Sequence, residues 1–284
     1  MKAFCRKIWS FLIALILCNF VLLTVYSNAK GTIPEMDLVE FLQSRGYKTD
    51  TPEQIIEATK SQSYPIRYMA LVLLTQRIEK KAIPTLKEAL DDSKMEVRWR
   101  AAHLLGTLGD KSGLGRMRRD LKEYAPNNGV KIPLDPNITN VHEIKMHERK
   151  TNLNHGYALY AAKVLAELGD RSGYELAARM AIHGPEIYLR TRAIDVLVKI
   201  SKTNKEILSK ESKYPEKILL EVAESEENLL VIKSLMTSTW SLDVETQARV
   251  LEKIANSPYI SDDIREEIES RLERIHAKTK KIEP

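Results

Sequence analysis

The chain has 284 residues, 44 of them Lys or Arg and 39 Asp or Glu, for a formal charge of +5. Both of its cysteines, Cys5 and Cys18, lie near the start, so a chain cut after Ala29 keeps none and loses Lys2, Arg6 and Lys7, leaving 41 basic against 39 acidic residues. That excludes disulfides, thiolate metal sites and a cysteine nucleophile, and it leaves core packing as the source of stability.

Lys2, Arg6 and Lys7 precede an apolar run from Ile8 to Tyr26, and Ser27-Asn28-Ala29 gives a small-x-small ending. This is the pattern of a secretory signal peptide cut after Ala29, with an uncleaved membrane anchor as the alternative because the run is nearly long enough to span a bilayer. Either way the rest of the chain is expected outside the cytoplasm, periplasmic or secreted. A lipoprotein reading on Cys18 is disfavoured by Leu17, which stands where a small residue is needed.

Residues 34–46 read as a first helix with Leu38, Phe41 and Leu42 on one side and Gly46 at its end. Thr51, Pro52 and Gln54 form a capping box with proline in the first turn, starting a helix that ends before Pro65. A helix over Ile66–Ile78 and packing by Ala82 to Leu90 follow. Val97, Ala101, Leu104, Leu105 and Leu108 then mark an apolar face at helical spacing. Gly109 suits a left-handed helix end, Asp110 can cap the next helix, and Leu114, Met117 and Leu121 give that helix its apolar side.

Residues 122–154 interrupt this regularity. Pro126, Pro133 and Pro136 stand among Asn127, Asn128, Gly129, Asn137 and Asn140, so an irregular excursion is predicted, ending in a short helix near 141–150. Asn137-Ile138-Thr139 fits a glycosylation acceptor. Beyond Leu197, helices are predicted at about 203–209, 214–224, 227–238, 243–256 and 261–276, the last a polar end cap with Lys278–Pro284 as a frayed tail. Charge is unevenly placed, with 11 Lys/Arg and 6 Asp/Glu over 97–150 but 8 against 15 over 205–270.

The decisive signal is repetition. Ala161, Ala162, Leu165, Leu168, Gly169, Asp170, Ser172 and Gly173 repeat Ala101, Ala102, Leu105, Leu108, Gly109, Asp110, Ser112 and Gly113 at an offset of 60 residues. Ile66-Arg67, Val97-Arg98 and Leu189-Arg190 each precede an alanine three residues and a leucine seven residues after the arginine, at offsets of 31 and 92. A period near 30 with two helices per unit means a solenoid. Over about 53–121 and 157–200 the chain resembles the HEAT-repeat family, in particular the short repeats found in phycobilisome lyases. The residues that carry this are Ala89-Leu90-Asp91-Asp92, Val97-Arg98 and Ala101-Ala102-His103-Leu104-Leu105-Gly106-Thr107-Leu108-Gly109-Asp110. The resemblance implies an all-α, right-handed α-solenoid of stacked helical hairpins, here with an irregular insertion, used mostly to bind proteins. The expected organisation is 1–29 signal or anchor, 30–204 solenoid with insertion 122–154, and 205–284 helical continuation and end cap.

Arg116, Arg118, Arg119 and Lys122 gather on the second helix of the central hairpin, which in HEAT-like stacks tends to line the concave face, and they are candidates for binding an acidic protein or envelope polymer. Tyr68 and Trp99 share a repeat position, which suits inter-repeat packing or a half-wet interface. Arg67, Arg98 and Arg190 are expected to tie adjacent units through carbonyls or carboxylates. His142, Glu143, His147, Glu148 and His155 are metal-capable residue types, but His142 and His147 are five apart, where a zinc-protease helix needs four. No nucleophile elbow, phosphate loop or dinucleotide fingerprint is present. The expected function is a non-enzymatic extracytoplasmic scaffold for a protein partner, without cofactor, metal or nucleic acid. The alternatives are an enzyme or chromophore-handling protein on the same repeat, or a membrane-anchored assembly factor.

Overall fold

The structure is a computed structural model that describes residues 33–129, 140–203 and 214–280. Among the described residues the regular structure is helical throughout. The signal or anchor segment, the helix expected near 203–209, the Asn137–Thr139 sequon and the last four residues lie wholly or mostly outside the described residues. The chain divides into two compact units, 1–82 and 83–284, and the boundary expected at 204/205 falls within the second.

The described part of the first unit holds α1 (Glu35–Gln43), α2 (Pro52–Ala58) and α3 (Tyr64–Ile78), with a 3₁₀ turn over Glu79–Ala82. Leu38 and Leu42 are fully buried, and Gly46 at φ +84° turns the chain after α1. The capping box of α2 forms as its sequence dictates: Thr51 accepts from the Gln54 amide, and the Gln54 side chain accepts from the Thr51 amide. α3 starts at Tyr64, so Pro65 occupies the first turn, where a missing N–H costs no helical bond.

The second unit comprises α4 (Ile83–Glu88), a 3₁₀ turn over Ala89–Asp91, α5 (Met95–Thr107), α6 (Gly113–Tyr124), α7 (Val141–Glu167), α8 (Tyr174–His183), α9 (Ile187–Thr203), α10 (Tyr214–Ser225), α11 (Leu229–Ser238), α12 (Val244–Ala255) and α13 (Asp262–Lys280). First helices α5, α7, α9 and α11 pack in succession, and α8, α10 and α12 form the second layer behind them. Each apolar stripe is buried by its neighbours, as with Leu105, Leu165 and Leu197, all at 0 % exposure.

The corners of the repeat share one geometry. Gly109 and Gly169 take φ +81° and +80°, and the Asp110 and Asp170 amides each donate back to Leu105 O and Leu165 O at 2.8 Å. One carboxylate oxygen of each aspartate accepts the amide of Ser112 or Ser172 at 2.8 Å, so the aspartate closes the turn and does not cap the helix as expected, the N-cap residues being Ser112 and Gly173. A glycine stands at the start of each second helix, Gly113 as the first residue of α6 and Gly173 as the cap before Tyr174, because nothing larger fits. A Cβ on Gly113 would meet Ala102 Cβ at 2.8 Å, and one on Gly173 would overlap Ala162 more severely.

The predicted short helix near 141–150 is corrected to a single 27-residue helix, α7. Asn140 caps it through the His142 amide, and no glycine or proline stands between Val141 and His155 to break it. Of the predicted irregular excursion before Asn140, residues 125–129 are described. Its first turn seats on α8: the Arg179 Nε donates to Asn128 O at 3.1 Å, and Gly129, at φ +73°, lies against Leu176 and Met180.

Gly113→Ala and Gly173→Ala are expected to destabilise the protein by roughly 1–3 kcal/mol through overpacking. Gly115→Ala, whose added methyl would meet only the tip of Arg119 at 4.0 Å, should be neutral or stabilising by up to about 1 kcal/mol. Denaturant midpoints of the three variants check this ordering.

Candidate functional site: the α6 surface and its buried carboxylates

The recurring arginines act first on their own hairpins. Arg67, Arg98 and Arg190 each donate from Nη1 to the carbonyl six residues earlier: Ser61 O at 2.8 Å, Asp92 O at 3.0 Å and Gly184 O at 3.2 Å. The guanidinium thus gathers the loop that precedes its helix. Arg98 and Arg190 also reach carboxylates, Asp120 and Glu226, the latter at 3.1 Å. The expected tie through carbonyls and carboxylates is present, but the carbonyl is the near one.

Asp120 on α6 is fully buried and is surrounded by donors. Arg116 reaches Oδ1 at 2.8 Å, Trp99 Nε1 donates to Oδ2 at 3.0 Å, and Arg98 approaches both oxygens at 3.4 Å. Two cations and an indole N–H offset the desolvation of one carboxylate. Above it, Trp99 stacks on Tyr160 at 4.6 Å and meets Tyr157 and Tyr124 at 5.9 and 6.5 Å, joining α5, α6 and α7. Trp99 is 3 % exposed and Tyr68 2 %. Both are therefore packing residues, and neither offers the exposed contact surface expected of a partner-binding residue.

The basic cluster on α6 splits in two. Arg116 is held by Asp120, and Arg118 pairs with Asp170 at the next corner, donating from Nε at 2.7 Å. Lys87 pairs with Asp110 at 2.9 Å in the same way. Lys87 and Arg118 are 31 residues apart, one repeat, so each corner aspartate holds a cation from the preceding second helix. Arg119 and Lys122 are exposed, and neither has a carboxylate partner among the described residues.

These pairs set the local electrostatics. The Ser112 side chain, then its amide, then Lys87 hold the Asp110 carboxyl down to about 2. Burial pushes Asp170 up, but Ser172 and Arg118 outweigh it and its pKa is lowered. Burial likewise opposes ionisation of Glu167, yet His103 at 2.8 Å, Lys163 and Lys199 bring its pKa down. His103, Lys163 and Asp195 occupy one repeat position on α5, α7 and α9, and Lys163 bonds Asp195 at 2.7 Å, so a charge ladder follows the first helices.

Among the described residues no three His, Cys, Asp or Glu are placed to hold a metal ion. His142 and His147 lie on the exposed half of α7, five residues apart, while His155 is buried. A cleft lined by Ala181, Val222 and Asn228 carries the Arg190–Glu226 pair in its wall. Sequence reasoning missed Asp120, Lys87 and Glu226. The 31-residue offset between Lys87 and Arg118 could have flagged the corner pairs, but a lone aspartate in a run of arginines gives no sign of burial.

Stacked hairpins with repeated corners and paired layers define an α-solenoid class of protein. Residues 52–122, from α2 through most of α6, match the family model for HEAT repeats. Over this segment the chain resembles HEAT repeats. No curated protein matches it.

Asp120→Ala should cost about 3–5 kcal/mol, because it strands Arg98, Arg116 and the Trp99 N–H in the interior; urea unfolding followed by Trp emission measures the loss. Acidification gives a second test. Asp110, Asp170 and Glu167 have folded pKa values below their unfolded ones, so their contribution is complete above about pH 4.5 and is lost as pH falls toward about 2. In Asp110→Asn the acid-dependent loss of thermal midpoint between pH 4 and about 2 should be shallower than in the parent chain.

Proposed function

We propose that this protein is a non-enzymatic, extracytoplasmic HEAT-repeat scaffold that holds a protein partner on the α6 surface. HEAT repeats serve as scaffolds for protein interaction. The observation that carries the reading is how the charges of α6 are used. Asp120 and Asp170 fix Arg116 and Arg118, making the helix rigid, while Arg119 and Lys122 are left in water on that framework. Cations on a pre-ordered helix lose little entropy on meeting an acidic surface. The buried carboxylates have structural partners, as a scaffold requires. The apolar run from Ile8 to Tyr26 supports export.

In-cell cross-linking of the tagged full-length chain, followed by mass spectrometry of the envelope fraction, should recover one abundant partner. The double substitution Arg119→Glu with Lys122→Glu should lower its yield about tenfold without changing thermal stability. Absence of any reproducible macromolecular partner, or substrate turnover abolished by point changes in one cleft, would sink the scaffold reading. N-terminal sequencing of the same material should begin at Lys30; retention of residues 1–29 would place the protein as an anchored assembly factor instead.

A further inference from the structure

The first half of α7 stands largely in water. From Val141 to Lys150 every residue except Ile144 is exposed, with Val141 at 64 % and Met146 at 50 %. Burial begins only at His155 and Gly156, where Tyr188 at the start of α9 lies against Gly156. This stretch is propagated from a packed helix, yet it holds Val141, Met146 and Leu153 in water, so a partner that covers it gains apolar burial.

The pattern of the outward face says which partner. His155, Gly156, Ala158 and Leu159 are buried, which fixes the inward side of α7. The opposite side carries Glu143, Met146, His147, Lys150 and Leu153, at steps of three and four residues, with Leu153 49 % exposed. Two such faces laid antiparallel about the Met146–His147 midpoint set Glu143 of each against Lys150 of the other. Met146 then meets His147 at the centre. The stripe is complementary to its own reverse, which is what a two-fold interface demands. Neither Glu143 nor Lys150 has a charged partner among the described residues.

We propose that the outward face of α7 is a self-association surface, occupied by the same face of a second copy in antiparallel register. The contact is small, so the dimer is weak and concentration-dependent. It uses a surface apart from Arg119 and Lys122, and its failure leaves the α6 reading standing.

The test uses cysteine substitutions in the full chain, with the unsubstituted chain as the reference for any bridge through Cys5 or Cys18. Met146→Cys is expected to give a disulfide-linked homodimer on mild oxidation, at about five times or more the reference level, because its two copies sit side by side across the dyad. Leu153→Cys is expected to give none above the reference. Its two copies would stand about 20 Å apart along the paired helices, from 13 residues at the helical rise. Glu143→Lys or Lys150→Glu alone, in the Met146→Cys background, should cut the yield about tenfold, and the two together should restore it, since symmetry counts each change twice. All these positions are exposed, and far-UV circular dichroism verifies that the variants fold. Equal cross-linking from both cysteines, none from Met146→Cys, capture only of a different protein, or no rescue by the charge swap would each overturn the proposal.

Discussion

The stack depends on a corner aspartate that serves two hairpins at once. One oxygen of Asp110 or Asp170 closes its own turn on a serine amide, and the other takes the cation of the hairpin before. A hairpin whose turn is made but whose cation is absent has a half-satisfied carboxylate; one with the cation but no turn has no fixed point to receive it. The spacing of successive units is therefore coupled to the closing of each unit. The close approach of Gly113 to Ala102, and of Gly173 to Ala162, follows from the same corner, since the second helix leaves the turn directly against the first.

The arginines complete this logic from the other end of the hairpin. By binding a carbonyl six residues back, each fixes the loop that joins one unit to the next. Where the arginine position becomes Ala158, the loop is absent as well: α7 runs straight through the place where a helix would begin. The loss of the residue and the loss of the turn it would hold coincide.

Much of the architecture was readable in the chain. The capping box at Thr51, the glycines after Leu108 and Leu168 and the small residues at 102 and 162 each have one local physical meaning, and the structure gives them that meaning. The functional surface was less readable. Arg116, Arg118, Arg119 and Lys122 look alike in a sequence, yet two are held by acids 4 and 52 residues away and two are not. Pairing across such separations is set by tertiary packing, which periodicity does not encode. Trp99 is a similar case: an aromatic beside a recurring arginine marks a half-wet edge as readily as a core, and only the indole bond to Asp120 decides between them. The extent of α7 was missed because asparagines and prolines upstream drew attention away from a stretch that itself contains no breaker until Gly156.

The single-piece construction of α7 has a mechanical consequence. A 27-residue helix is about 40 Å long, and its buried residues all lie from His155 onward, in the half that packs among its neighbours. It is a cantilever whose fulcrum lies where Tyr188 presses on Gly156. Load applied near Val141 is delivered as bending to Tyr157 and Tyr160, the two rings that brace Trp99 over the Asp120 carboxylate. A solvated stretch is thereby levered onto the bonded cluster around Asp120.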